Sequence, residues 1–198
     1  MFNETGDCMI IDPGCYDQRE EQQLKSFILE HKLVPRLLLN THCHLDHVFG
    51  NRFVHETWKL ELHIHPNEKL VLDFAPDAGK RWNLPFRNYE GPLHYIRGGD
   101  TIRLGADELK VIEAPGHSPG HICFYSEAQQ FLIGGDVLFR RSIGRTDLPG
   151  GSHSQLLNSI RTQLFTLPDQ VRVYPGHGES TTIGFEKQHN PFLTGSEG

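Results

Sequence analysis

The sequence predicts an α/β protein. Segments with apolar residues at helical spacing alternate with short apolar runs of strand length. Four of those runs also pass straight into clusters of possible metal ligands: LLLN into THCHLDH, LKVIEA into PGHSPGH, FLIGG into Asp136, and VRVY into PGHG. Strand ends are rigid, and the loops leaving them can converge on one edge of a sheet, as an active site requires.

Residues 8–12 read as a short buried strand stopped by Pro13-Gly14, and residues 17–32 as a helix with Leu24, Phe27 and Ile28 at helical spacing. A strand at 37–40 precedes a helix at 48–58, whose Phe49, Phe53, Val54 and Trp58 share one face. Residues 61–65 fit a further strand. Residues 75–99 mix Pro, Gly, Asn, Trp and Tyr without a period, so they are expected to be a loop covering a cleft, with Trp82, Phe86 and Tyr89 offering apolar contact to a substrate. Strands at 101–104 and 108–113 flank a Gly105-Ala106-Asp107 turn as a hairpin, and 122–126 with 130–133 form the next pair. Residues 154–165 are helical, with Leu156, Leu157, Ile160 and Leu164 on the apolar face and Pro168 just beyond the end. A last strand covers 171–174, and the polar tail TGSEG is expected to fray.

The 198 residues, 37% of them hydrophobic, suffice for one substantial core, and a single domain is expected over 1–198. A formal charge of −6 without a Lys/Arg block argues against nucleic acid as a partner. The start MFNETGDCMIID lacks the basic and apolar regions of a secretion signal, and no apolar run reaches the length of a membrane helix, so a cytoplasmic protein without a membrane partner is expected. Cys8, Cys15, Cys43 and Cys123 lack CxxC spacing and suit reduced thiols.

In the H-x-H-x-D-H stretch, His42 and His44 alternate along an extended segment and can project to one side, ready to grip a cation. Asp46 and His47 follow as the chain turns into a helix and can begin a second site. His117, Asp136 and His177 bring the candidates to seven. That is too many for one tetrahedral ion and suits two ions that share Asp136, each keeping an open position. His121 is expected to support the site rather than ligate, and Arg145 with Asp147 to form an ion pair. His31, His55, His63, His65, His94, His153 and His189 are read as surface or packing residues.

At these residues the sequence resembles the metallo-β-lactamase superfamily, and within it the short type II glyoxalase (hydroxyacylglutathione hydrolase)-like hydrolases. THCHLDH, APGHSPGH, GGDVLF and YPGHG match its successive motifs in order, and IDPG matches its early strand and turn. The resemblance implies a four-layer αββα sandwich with metals at one edge of two sheets, here expected without the first N-terminal strand because the chain begins close to IDPG. It implies that His42, His44 and His117 hold one ion, that Asp46, His47 and His177 hold the other, and that Asp136 bridges them. The longer glyoxalase II enzymes add a C-terminal helical region that contacts glutathione, whereas this chain ends soon after HNPFL, which leaves its thiol carrier open.

The reaction expected is thioester hydrolysis, of which S-2-hydroxyacylglutathione is the example, by a hydroxide bridging two divalent ions. Zinc is the expected metal, with iron or manganese as alternatives. Asp46 and Asp136 are its catalytic carboxylates. One rival is a mononuclear iron persulfide dioxygenase using His42, His117 and Asp136. The GCGRTD familiar in those enzymes has a cysteine where this chain has Ile143, which counts against it. The other rival is a non-catalytic metal-binding or interaction protein. The oligomeric state is left open.

Overall fold

The structure is a computed structural model that describes residues 1–195, so the expectation for the tail TGSEG falls mostly outside the described residues. Residues 1–96 with 103–107 cluster as one compact unit, and residues 97–102 with those from 108 onward as a second.

The first unit is built on β1 (Asp7–Ile11), α1 (Gln18–Glu30), β2 (Val34–Leu39), α2 (Leu45–Val48), α3 (Asn51–Trp58), β3 (Leu62–Ile64), α4 (Lys69–Arg81) and β4 (Leu93–Tyr95). Its four strands pair in sequence order, all parallel. Parallel neighbours need long crossovers, which the helices supply. α1 begins where the Asp17 carboxylate accepts the Glu20 N–H at 2.9 Å, a side-chain cap for a donor the helix itself leaves unpaired. Leu38, Leu62, Ile64, Val54 and Leu72 form the centre of the apolar core. β1 is an edge strand, and residues 1–3 fold back along it, with the Met9 N–H donating to Met1 O at 2.9 Å.

Two expectations for this unit need correction. The single helix expected at 48–58 is two helices broken at Phe49-Gly50. The Gly50 N–H donates to Pro13 O at 2.7 Å, and a Cβ at Gly50 would lie equally close to that oxygen, so the chain leaves its helical path to pack on the loop after β1. The loop expected at 75–99 is helical up to Arg81, passing through Pro76, and returns to the sheet as β4. Tyr89 is a core residue rather than a substrate contact: it is buried, accepts the Leu62 N–H and donates to Pro92 O. Phe86 packs edge-on against Phe49, and only Trp82 of the three stands well exposed.

The second sheet contains β5 (Thr101–Leu104), β6 (Asp107–Glu113), β7 (Ile122–Ser126), β8 (Phe131–Gly135), β11 (Arg172–Pro175) and β12 (Thr181–Thr182), in the order β12-β11-β8-β7-β6-β5. A two-stranded ribbon of β9 (Leu138–Phe139) and β10 (Ser142–Ile143), α5 (His153–Thr162) and α6 (Ile183–His189) complete the unit. β7 runs antiparallel to both β6 and β8, and β11 runs parallel to β8. β6, β8 and β11 therefore point the same way, and the loops that carry His117, Asp136 and His177 leave the same edge. Among the described residues, no helix is long and apolar enough to cross a membrane.

Candidate metal centre

In the first unit, the segment after β2 is held by two acids, one partly and one fully buried. Asp12 directly follows β1 in a left-handed conformation, φ 49°. Its carboxylate accepts the Thr41 N–H at 2.7 Å, the Thr41 hydroxyl at 2.6 Å and an Asn40 amide proton at 3.1 Å. Glu68, fully buried, accepts the Cys43 N–H at 2.7 Å. The Cys43 side chain is sunk in the apolar core, and in an extended chain its neighbours face elsewhere. The rings of His42 and His44 lie edge to face, 4.8 Å between centroids, as their alternation predicts. The His47 ring lies 4.1 Å from that of His42, and its Nδ1 is 3.1 Å from Asp12 Oδ2. Gly14 permits the approach of the two loops, because a Cβ there would meet Asp46 O at 2.3 Å.

In the second unit, His117 Nδ1 faces Arg145 O at 2.7 Å. A Cβ at Gly144 would fall 1.9 Å from Asp136 O and 3.1 Å from His117 Nδ1, so only glycine lets the 144–145 backbone cross behind that ring. The buried His121 accepts the Asp136 N–H on its Nε2 at 3.0 Å and thus supports the aspartate's backbone, as expected. The Arg145 side chain turns away to pair with Asp147 at 2.7 and 2.8 Å; both are exposed, and the guanidinium's hydrogen bonds hold the Asp147 carboxyl down at about 2. The GRTD motif thus serves His117 through a carbonyl.

The donor spacings fit metal. Asp136 Oδ2 lies 3.7 Å from His117 Nε2 and 3.5 Å from His177 Nε2, and Asp46 Oδ2 lies 3.7 Å from His47 Nε2. Such separations exceed those of good hydrogen bonds. Two ligands of one tetrahedral ion, with bonds of about 2.1 Å, stand about 3.4 Å apart. The tautomers also fit: His47 commits Nδ1–H to Asp12 and His117 commits Nδ1–H to the Arg145 carbonyl, leaving each Nε2 lone pair for a cation. Asp46 and His177 keep 54% and 57% of their side chains exposed, which leaves them open to solvent and substrate.

Asp12 and Glu68 were not singled out by sequence reasoning. The position of Asp12 at the end of a strand, in IDPG, is a usable signal; Glu68 has none. The other histidines take the structural parts expected of them. His65 Nδ1 accepts the Asn67 N–H, His55 Nδ1 faces Leu60 O, and His63 stacks on His94, whose Nε2 meets Glu61.

The model of the metallo-beta-lactamase superfamily matches residues 1–177. Hydroxyacylglutathione hydrolase GloC of Haemophilus influenzae is 35% identical over 195 residues, covering 98% of this chain and 90% of that protein. BLEG-1, a B3 metallo-beta-lactamase of known crystal structure, is 36% identical with a TM-score of 0.90, covering 98% of this chain and 92% of its own. TTHA1623, solved in a di-iron-bound form, is 38% identical with a TM-score of 0.83, covering 92% of this chain and 88% of its own. With its motifs, its two sheets and these relatives in agreement, the chain has the metallo-β-lactamase fold and belongs to the metallo-β-lactamase superfamily.

Proposed function

We propose that this metallo-hydrolase cleaves thioesters of a small thiol, with S-2-hydroxyacylglutathione as the model substrate, and that His42, His44, Asp46, His47, His117, Asp136 and His177 together hold two divalent ions within one catalytic domain. The observation that carries the reading is the pairing of committed Nδ1 atoms with carboxylates at ligand spacing from Nε2, found at His47 beside Asp46 and at His117 beside Asp136. The likeness to GloC supports the substrate class. When bound, paired cations supply a hydroxide near neutral pH and polarise a carbonyl. The chain's own part is to fix the ring tautomers through Asp12 and Arg145 O, to support Asp136 through His121, and to leave Asp46 and His177 facing solvent. No serine or cysteine nucleophile is needed, and a thiolate leaves without strong acid help.

A mixed imidazole and carboxylate set suits zinc and iron alike. Zinc is proposed, and the likeness to a di-iron-bound protein makes iron the alternative. The four cysteines, all free and mostly buried, accord with a cytoplasmic setting. Neither nucleic acid nor membrane is proposed as a partner. The likeness to BLEG-1 favours one second reading, hydrolysis of a β-lactam by the same donors. Protein purified without oxygen is to be analysed for metal and assayed with S-lactoylglutathione, with a chromogenic β-lactam, and for oxygen uptake with glutathione persulfide. Two ions per chain and thioester turnover are expected. One iron per chain with oxygen uptake and no thioesterase activity overturns the proposal.

A further inference from the structure

We propose that Glu68 is a positioning residue for the His42–Cys43–His44 segment, and that its hydrogen bond to the Cys43 N–H presets the two imidazoles for metal. The inference rests on His42 and His44 being ligands. Glu68 closes a short 3-10 turn, Pro66–Glu68, that leads directly into α4, and its side chain does not cap that helix. Its side chain instead reaches back 25 residues to the backbone of the one residue that separates the two histidines, at 2.7 Å. Glu68 and Cys43 are both fully buried. Burying a carboxylate is unfavourable unless its oxygens are well engaged, so its presence against this segment calls for a function. A backbone N–H held by a fixed acceptor sets the direction of the chain on both sides. Here those sides are His42 and His44.

A negative charge near a cation site can also raise affinity simply by attraction, and two variants of the full chain separate the explanations. Glu68→Asp keeps the charge but withdraws it by one methylene from the Cys43 N–H. Glu68→Gln keeps an acceptor in place and removes the charge. Zinc affinity is to be measured by chelator competition, and amide exchange at Cys43 in the metal-free protein, relative to Leu62 and Ile64 in the neighbouring strand. Positioning predicts that Glu68→Asp weakens zinc binding about tenfold or more, the usual cost of losing a ligand's supporting partner, and selectively hastens exchange at Cys43. It predicts that Glu68→Gln stays within about fivefold of the parent, the difference between a charged and a neutral acceptor. A Gln variant impaired more than the Asp variant overturns the proposal in favour of simple attraction. Zinc affinity unchanged in both, or exchange at Cys43 that rises only in step with Leu62 and Ile64, also overturns it. His42→Ala serves as the control: if it leaves zinc affinity intact, the ligand reading has failed, and the Cys43 exchange ratio still decides the part played by Glu68.

Discussion

A neutral histidine has one N–H and one lone pair, and which nitrogen meets a cation is decided by what the other is bonded to. Asp12 makes that choice for His47, because its Oδ2 accepts at 3.1 Å from Nδ1. In Asp12→Asn, Oδ1 can go on accepting from Thr41 N and Asn40, which puts the new amide NH2 toward His47 Nδ1. That nitrogen must then accept, the proton moves to Nε2, and the lone pair faces away from Asp46. Metal affinity is expected to fall about 10–100-fold with little loss of fold. Metal titration beside the ring-nitrogen NMR shifts of His47 tests this, and an unchanged tautomer would refute it. Cys15 offers a pH test. Burial pushes its thiol up to about 11, above the ordinary value of 9.0, so the neutral form is favoured on folding. The associated stability is complete below the ordinary value and is lost as pH rises through about 11. At pH 8, about one Cys15 in a thousand is thiolate. Iodoacetamide labelling of Cys15 should therefore be slow at pH 8 and rise about tenfold per pH unit up to that range; fast labelling at pH 8 would contradict the assignment.

At the scale of elements, the miss at α4 has a physical explanation. Proline inside a helix removes one N–H and crowds the carbonyl four residues back, so Pro76 argues against helix in any reading of the sequence alone. The carbonyl left without its helical donor is Leu72 O, and the Asn88 side-chain amide donates to it at 2.7 Å. The partner lies 16 residues downstream, where local periodicity cannot reveal it. A double-mutant cycle follows. Asn88→Ala should cost about 1–3 kcal/mol because it orphans a buried carbonyl. In a Pro76→Ala background, the residue 76 N–H can bond Leu72 O, and most of that cost should vanish; additive costs in urea unfolding would rule the account out. The same distinction separates what could be read from what could not. THCHLDH, PGHSPGH and YPGHG were legible because each follows directly on an apolar strand, so pattern and chemistry coincide in one short window. Glu68 holds Cys43 from 25 residues away, Glu186 holds the Arg141 N–H from 45 away, and Arg145 serves His117 through a carbonyl that any residue possesses. β9, β10 and β12 are two-residue strands, too short to show a period of two.

For the whole molecule, the proposed donors are divided: His42, His44, Asp46 and His47 belong to the first compact unit, and His117, Asp136 and His177 to the second. Ions that bind only the folded chain stabilise it by linkage, about 2.7 kcal/mol for each ion held at a hundred times its Kd. Chelation should therefore lower the unfolding temperature, and acidification should do the same as protons compete for the imidazoles. Asp46 gives the most direct test of how many ions the reaction needs. Its carboxylate is half exposed and lies 3.7 Å from His47 Nε2, at the surface rather than in the apolar core, so its removal should spare the fold. Asp46→Ala would leave His47, His177 and a share of Asp136 for the second ion, while His42, His44, His117 and Asp136 would still hold the first. About one ion should remain, the chelation-dependent shift in unfolding temperature should shrink without disappearing, and thioester hydrolysis should fall by about 10²-fold or more, as when a main electrostatic group is lost. If the variant keeps both ions, Asp46 is not a ligand. If it keeps one ion and full activity, a single ion suffices for the chemistry, and the two-metal reading of the site falls.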